Sequence, residues 1–202
     1  MPRLATSPSR KPAVAAPAEL MWAVIGLLLT ILGTFQQAFI ANPVWIADGA
    51  TLQPQALGIT CQIGAVLLVG CLGGKNAGAL SQIAYLALGL AGFQVFTQGS
   101  GIGYIEKPSF GYLLGFVPGA WVCGYLAFRA KPKLEWLGFS CLCGLGVIHL
   151  VGLTYLIILR AFSQELLPLI QAYSLQQLPA QFAIVCAVSV LAFLLRRVLF
   201  IV

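Results

Sequence analysis

Charge is what this sequence has least of. Of its 202 residues, 8% are Asp, Glu, Lys or Arg, and only five of those are acidic. An average soluble domain carries roughly 25% charged residues. With 60% of the chain hydrophobic, so few charges cannot cover a surface in water, and much of the chain must face lipid. The basic excess gives a formal charge of +6, yet these residues stand in ones and twos between apolar runs. There is no basic helix or aromatic-basic platform, which argues against a nucleic-acid partner.

Catalytic groups are also scarce. Gly138-Phe139-Ser140-Cys141 superficially matches the G-x-S-x pattern of rhomboid-type intramembrane proteases, in which the serine needs a histidine within hydrogen-bond reach. The single histidine, His149, lies nine residues along the same helix, about 13.5 Å away at a rise of about 1.5 Å per residue. No acidic residue falls within the long apolar runs, which excludes an aspartyl intramembrane protease and the groups usual in ion coupling. Val69 and Asn76 stand where a phosphate-binding loop ending at Lys75 requires Gly and Ser or Thr. Gly99-Ser100-Gly101-Ile102-Gly103-Tyr104 lacks the last glycine of a dinucleotide fingerprint. The chain therefore reads as a non-enzyme that does not hydrolyse ATP. Concentrative transport would draw its energy from a partner or an ion gradient.

Cysteine is present but unpatterned. Cys61, Cys71, Cys123, Cys141, Cys143 and Cys186 all sit in apolar runs, where cysteine acts as a small hydrophobe. Cys141 and Cys143 point about 200° apart on a helix, and no second pair completes a tetrahedral metal site. Neither a metal nor a cofactor is expected.

What the sequence does have is apolar runs of membrane-spanning length. A helix needs about 20 residues to cross the hydrocarbon layer, and such runs occur near 20–41, 55–73, 77–97, 110–128, 136–159 and 179–201. Residues 1–18, rich in Pro, Ala and Ser, read as a disordered basic tail, and 19–202 as one six-helix, all-α membrane domain. The first run is too long for a signal-peptide core and no A-x-A cleavage site follows, so it is expected to stay as an uncleaved span. Only Gly74-Lys75-Asn76 separates the second and third runs, predicting a tight helical hairpin. With six crossings and the N-terminus inside, Arg3, Arg10, Lys11, Lys75, Arg129, Lys131, Lys133, Arg196 and Arg197 fall on the cytoplasmic side. Lys107 and Arg160 remain outside, the asymmetry that the positive-inside rule demands. Both termini are then cytoplasmic, and the longer breaks 42–54, 98–109 and 160–178 face outward, where a site would open. Phe162, Leu166, Leu167 and Ile170 give the last break the spacing of a short interfacial helix.

Gly111, Gly115 and Gly119 repeat every four residues along the fourth run, a pattern that lets helices approach closely in lipid. The same ladder could also line a cavity. The polar groups at membrane depth or at its outer edge are nearly all neutral: Thr60, Gln62, Ser81, Gln82, Tyr85, Tyr112, His149, Tyr155, Gln181 and Ser189. His149 is either an interhelical hydrogen-bonder or a polar tip facing a cavity, with Gly152 making room beside it. Neutral hydrogen-bonders between aromatic walls suit a largely apolar solute with one polar head.

Residues 54–116 carry an ordered set of motifs. These are Thr60-Cys61-Gln62, then Gly74-Lys75-Asn76-Ala77-Gly78-Ala79-Leu80-Ser81, then a run from Tyr85 through Gly89, Gly92 and Phe96. Gly99-Ser100-Gly101 and Pro108-Ser109-Phe110-Gly111-Tyr112-Leu113-Leu114-Gly115-Phe116 complete it, with a weaker match at His149-x-x-Gly152-x-x-Tyr155-Leu156. In order and spacing this resembles the BioY family, the biotin-specific substrate-capture (S) components of energy-coupling-factor (ECF) transporters. The resemblance implies a six-helix S-component bundle in a bacterial-type plasma (inner) membrane, holding biotin near its outer face. It also implies a transmembrane coupling subunit and two cytoplasmic ATPases as partners.

On that resemblance, Tyr85, Tyr112, His149, Tyr155 and Gln181 would line the pocket, and 98–109 would form a lid hinged at Gly99 and Gly101. Two departures stand out. The family's Pro-Gly-Asp-x-x-Lys motif at the start of the last span is Pro179-Ala180-Gln181-Phe182-Ala183-Ile184 here, so Gln181 could still bond a ureido ring but Ile184 cannot pair a carboxylate. Lys107 or Arg160 could substitute. Secondly, the first span lacks the Ala-x-x-x-Ala that often docks the coupling subunit, and Gly26-x-x-x-Thr30 offers a small-residue face instead. Alternative readings are an S component for another vitamin, or a non-transporting membrane scaffold.

Overall fold

A computed structural model describes residues 16–46, 49–160 and 166–199. The elements, in order, are α1 (Ala16–Phe35), β1 (Gln37–Ile46), β2 (Gly49–Thr60), α2 (Gln62–Leu90), α3 (Phe110–Ala127), α4 (Leu134–Arg160), α5 (Leu166–Ile170) and α6 (Leu178–Val198). A 3-10 turn, Ile102–Glu106, precedes α3, and a π-helical turn, Gln171–Leu175, links α5 to α6. Among the described residues, five stretches are long and apolar enough to cross a membrane: Pro17–Phe35, Gln62–Leu90, Phe110–Ala127, Leu134–Arg160 and Leu166–Val198. The 1–18 tail falls almost wholly outside the described residues, as does Phe162 of the expected interfacial helix.

The second stretch is not straight. Gly74 has φ 81° and ψ −177°, a backbone conformation closed to residues with a Cβ, and it divides α2 into limbs at 62–73 and 75–90. The limbs fold back on each other. Gln62 Nε2 donates to the Tyr85 hydroxyl at 2.8 Å, across 23 residues that would span about 35 Å of straight helix. The Gly74-Lys75-Asn76 hairpin expected from the sequence is therefore formed.

The all-α expectation needs correction. Between α1 and α2 the chain forms an antiparallel two-stranded sheet, with Ile46 opposite Gly49 and Gln37 opposite Thr60. The first two apolar runs accordingly end and begin as strand rather than helix. Hydrophobic density alone cannot separate the two states over short runs. Pro43 and Pro54 decide it, because each disfavours helix while an edge position in a hairpin tolerates the missing donor. Ala38, Leu57 and Ile59 pack onto the helical core, which a lone hairpin needs for stability.

Helix packing follows small residues. Gly111, Gly115 and Gly119 lie against α4, where a Cβ on Gly115 would come 2.8 Å from the Ile148 carbonyl oxygen. The ladder is thus a helix contact, and the neighbouring face of α3 is left for the cavity. Gly26 and Thr30 also turn inward: a Cβ on Gly26 would meet Val69 and Ser81, and Thr30 is fully buried. They cannot present the docking face expected of them. That inner seam is sealed by Gln82 Nε2 donating to Thr30 Oγ1 at 3.0 Å, a hydrogen bond between helices of the kind lipid favours. The outer face of α1 exposes Leu20, Met21, Val24, Leu28, Leu32 and Phe35, an apolar stripe suited to lipid contact.

The bundle has two distinct ends. At one, Gly124 abuts Gly74 and Lys75, Trp136 Nε1 donates to the Leu126 carbonyl, and Arg196 reaches the Ala127 carbonyl. The hairpin turn and the basic α3–α4 connector therefore share one end. The β-hairpin base, the 98–109 segment and the π turn gather at the other, around a cavity.

Candidate functional site

The cavity has a volume of about 280 Å³. Gly58, Ile59 and Thr60 of β2 form one wall, with Gln62 and Ile63 at the start of α2 beside them. Thr97, Gln98 and Tyr104 close it from the loop, Ser109, Tyr112, Leu113 and Phe116 from α3, and Tyr173, Gln177 and Gln181 from the last segment. None of these lining residues bears a formal charge.

A directed chain of hydrogen bonds stands behind the α6 wall. The Gln181 Oε1 atom lies 2.6 Å from His149 Nε2, and since an amide oxygen only accepts, Nε2 carries the proton. In the Nε2–H tautomer, His149 Nδ1 accepts from the Ser174 hydroxyl at 3.2 Å. The Ser174 oxygen in turn accepts from the Tyr112 hydroxyl at 2.6 Å. Gln181 Nε2 donates one hydrogen to Gln177 Oε1 at 3.3 Å, leaving its second hydrogen for the cavity. His149, Ser174 and Gln181 are all buried, so breaking any link strands a polar group without water. The hydrogen bond from His149 Nε2 fixes which edge of the Gln181 amide faces inward.

Glycines place these rings. A Cβ on Gly152 would lie 2.4 Å from the Tyr112 ring, and one on Gly111 would lie 2.4 Å from Tyr155 Cβ. Each of α3 and α4 thus hands the other a glycine beneath a tyrosine. The room beside His149 expected from Gly152 is taken by Tyr112, whose ring meets the imidazole edge-on at 5.7 Å. Tyr112 also stacks on Tyr173 at 6.1 Å.

The other expected residues act at one remove. Tyr85 is fully buried, and its hydroxyl accepts from Gln62, donates to the Val95 carbonyl at 2.9 Å and lies 3.2 Å from Thr34 Oγ1. It positions Gln62, which does line the cavity. Tyr155 donates to the Ile105 carbonyl, pinning the 3-10 turn. Gly99 and Gly101 contribute backbone shape, with φ of 119° and 86°, and Gly101 N–H bonds the Gly89 carbonyl at 2.8 Å. Aromatic pegs hold the loop down from Tyr85 to Phe96 to Tyr104 to Phe110 to Tyr155, with centroid separations of 5.3, 4.7, 6.3 and 5.9 Å. Burial pushes the Tyr104 phenol above its ordinary pKa, so the loop presents it to the cavity as a neutral group.

Gln62, Tyr104, Tyr173 and Gln177 complete the cavity and were not among the residues expected to line it. The Gln177-x-x-x-Gln181 spacing, one helical turn apart, was the signal available for Gln177. Ile184 is buried against Gly64 on α2, away from the cavity. Of the two cations considered in its place, Lys107 borders the cavity: its ammonium donates to the Gln98 carbonyl and sits 5.1 Å from the Tyr104 ring centroid. Arg160 lies at the end of α4 and does not line it.

Residues 10–200 match the model of the BioY family. The chain belongs to the BioY family. A relative from Cyanophora paradoxa, an uncharacterized 21.2 kDa protein, is 30% identical over 181 residues, covering 89% of this chain and 95% of its own. The probable biotin transporter BioY of Lysinibacillus sphaericus is 44% identical over 98 residues, covering 48% of this chain and 50% of its own. The biotin transporter BioY of Thermotoga maritima is 37% identical over 94 residues, or 46% and 55% of the two chains. The matched segments span about half the length of these two BioY transporters. In fold, the chain resembles the crystal structure of the S-component for biotin from an ECF-type ABC transporter, with a TM-score of 0.64 at 20% identity, covering 92% and 95% of the chains. The departures from the family pattern at Gln181 and Ile184 therefore lie within a shared fold.

Proposed function

We propose that this BioY-family chain captures biotin in the cavity beside α6 and mediates its uptake as the substrate-specific subunit of an ECF-type transporter. The observation that carries this is Gln181, one helical turn from Gln177, presenting an oriented amide to a neutral cavity at the position of the family's biotin-binding motif. A ureido ring offers one carbonyl acceptor and two N–H donors. The free hydrogen of Gln181 Nε2 bonds the carbonyl, while the side-chain oxygens of Gln177, Thr60 and Gln62 supply acceptors for the N–H groups. Tyr112, Phe116 and Tyr173 provide apolar surface for the thiophane ring and the aliphatic chain.

In this reading the two limbs of α2 run into the bilayer and back as a hairpin, so that both termini lie on the cytoplasmic side of a bacterial-type plasma membrane. The cavity then opens outward, and a coupling subunit with two ATPases supplies the energy for which this sequence has no nucleotide motif. The departure at Gln181 and Ile184 favours one alternative, an S component for a different vitamin bearing a cyclic amide. Calorimetry on the purified full chain separates the two. Saturable one-to-one binding of biotin supports the assignment. Absence of biotin binding, together with thermal stabilisation by another vitamin, transfers the cavity to that ligand.

A further inference from the structure

Three cysteines that look like filler in the sequence converge in space. Cys71 from the first limb of α2, Cys123 from α3 and Cys141 from α4 are each fully buried. Cys71 Sγ lies 3.6 Å from Cys123 Sγ and 3.5 Å from Cys141 Sγ, and the three sulfurs fall within 4.8 Å of one another. Sulfurs bound at about 2.3 Å to one tetrahedral ion stand about 3.8 Å apart, so the trio needs only small movements to become a ligand set. Gly70 and Gly144 hold the helices close here: a Cβ on either would press on Cys123 Cβ, at 3.3 and 2.9 Å.

A second observation concerns charge. Arg196 on α6 is 1% exposed, donates Nη1 to the Ala127 carbonyl at 2.8 Å and lies 4.2 Å over the Phe128 ring. Its Nε and Nη2 atoms have no partner among the described residues. Ala127, whose carbonyl Arg196 reaches, is one turn beyond Cys123 on α3. A buried guanidinium in an apolar core calls for a nearby anion.

We propose that Cys71, Cys123 and Cys141 form a buried three-thiolate site for a divalent ion of the zinc type, with Arg196 as the compensating charge. Binding releases three thiol protons to solvent. Three thiolates, one dication and one guanidinium then sum to zero, the charge state an apolar core tolerates best. A monovalent ion such as copper(I) would leave the same set at −1. The ion would join α2, α3 and α4 near the end opposite the cavity, so the site is separate from ligand capture and does not rest on the biotin assignment.

The test uses the full chain in detergent, reduced with a phosphine and titrated with Zn2+ and, separately, with Co2+ as an optical probe. The expected result is about one equivalent of Zn2+ per chain and a cobalt spectrum with thiolate charge-transfer bands, both lost in Cys71→Ala and Cys141→Ala. Size-exclusion elution and thermal midpoint in the absence of metal verify that these small substitutions leave the fold intact. Should either variant fail to fold, Cys123→Ser takes its place. Arg196→Leu is expected to weaken metal binding about tenfold. The site is overturned if the wild-type chain takes up no metal with a thiolate signature, or if the cysteine variants keep the same stoichiometry and spectrum. An unchanged affinity in Arg196→Leu overturns the charge-compensation role.

Discussion

The two ends of this bundle are built on opposite principles. At the cavity end the backbone is strand, loop, 3-10 turn and π turn, and side-chain hydrogen bonds and stacked rings keep it in place. At the other end helices meet through glycine, with backbone nearly touching backbone at Gly124 and Gly74. Irregular backbone leaves polar groups free to face a ligand, whereas close helix packing leaves no room for one. The cavity end should therefore tolerate change in fold and fail in binding, and the packed end should do the reverse.

Overpacking the glycine ladder of α3, which runs from the cavity level toward the packed end, is the harshest test of the helix contacts behind that contrast. A Cβ on Gly115 would lie 2.8 Å from the Ile148 carbonyl oxygen and 3.0 Å from its Cα, both backbone atoms that cannot rotate away. Gly115→Leu is expected to destabilise the bundle by about 3 kcal/mol or more and to abolish a monodisperse elution peak. Normal elution and an unchanged thermal midpoint would mean that α3 and α4 do not meet through this ladder.

Gln181→Leu probes the opposite end. The change removes the acceptor for His149 Nε2–H and the amide hydrogen that faces the cavity. Biotin affinity should fall by about 30- to 100-fold, while stability drops by about 1–2 kcal/mol from the stranded imidazole. Adding His149→Phe removes that stranded donor, so the double variant should regain part of the stability and none of the binding. If binding returns with stability, the loss was one of folding rather than recognition.

The sequence disclosed these two ends unequally. Apolar run length and the spacing of Gly111, Gly115 and Gly119 were enough for the helices and their packing, because helix periodicity carries contact information along one chain segment. The Gly74 hairpin was legible for the same local reason. The β-hairpin was not, since 37–41 and 55–60 are apolar enough to extend a helix until Pro43 and Pro54 are weighed. Tyr112 and Gln181 were identified as neutral polar groups beside apolar walls, and both line the cavity. Tyr85 and Tyr155 carry the same sequence signal, yet they brace Gln62 and the 3-10 turn, because spacing within one helix does not say which neighbour a ring meets. Tyr173 lies in a π turn that no periodicity signals, and the cysteine trio draws on three helices, which spacing within one segment cannot show.

Lys107 offers the finest distinction within the cavity end. Its ammonium donates to the Gln98 carbonyl while resting near the Tyr104 ring, so it has two separable roles: latching the loop and presenting a positive charge at the cavity rim. A carboxylate paired with a solvent-exposed cation gains about 1 kcal/mol at most, which is about fivefold in affinity. Lys107→Gln keeps a hydrogen-bond donor near Gln98 but removes the charge. It should weaken biotin about three- to fivefold and leave biotin amide unchanged, with the difference shrinking at high salt as exposed charges are screened. Equal losses for the acid and the amide would assign Lys107 to the latch alone and leave the carboxylate to solvent.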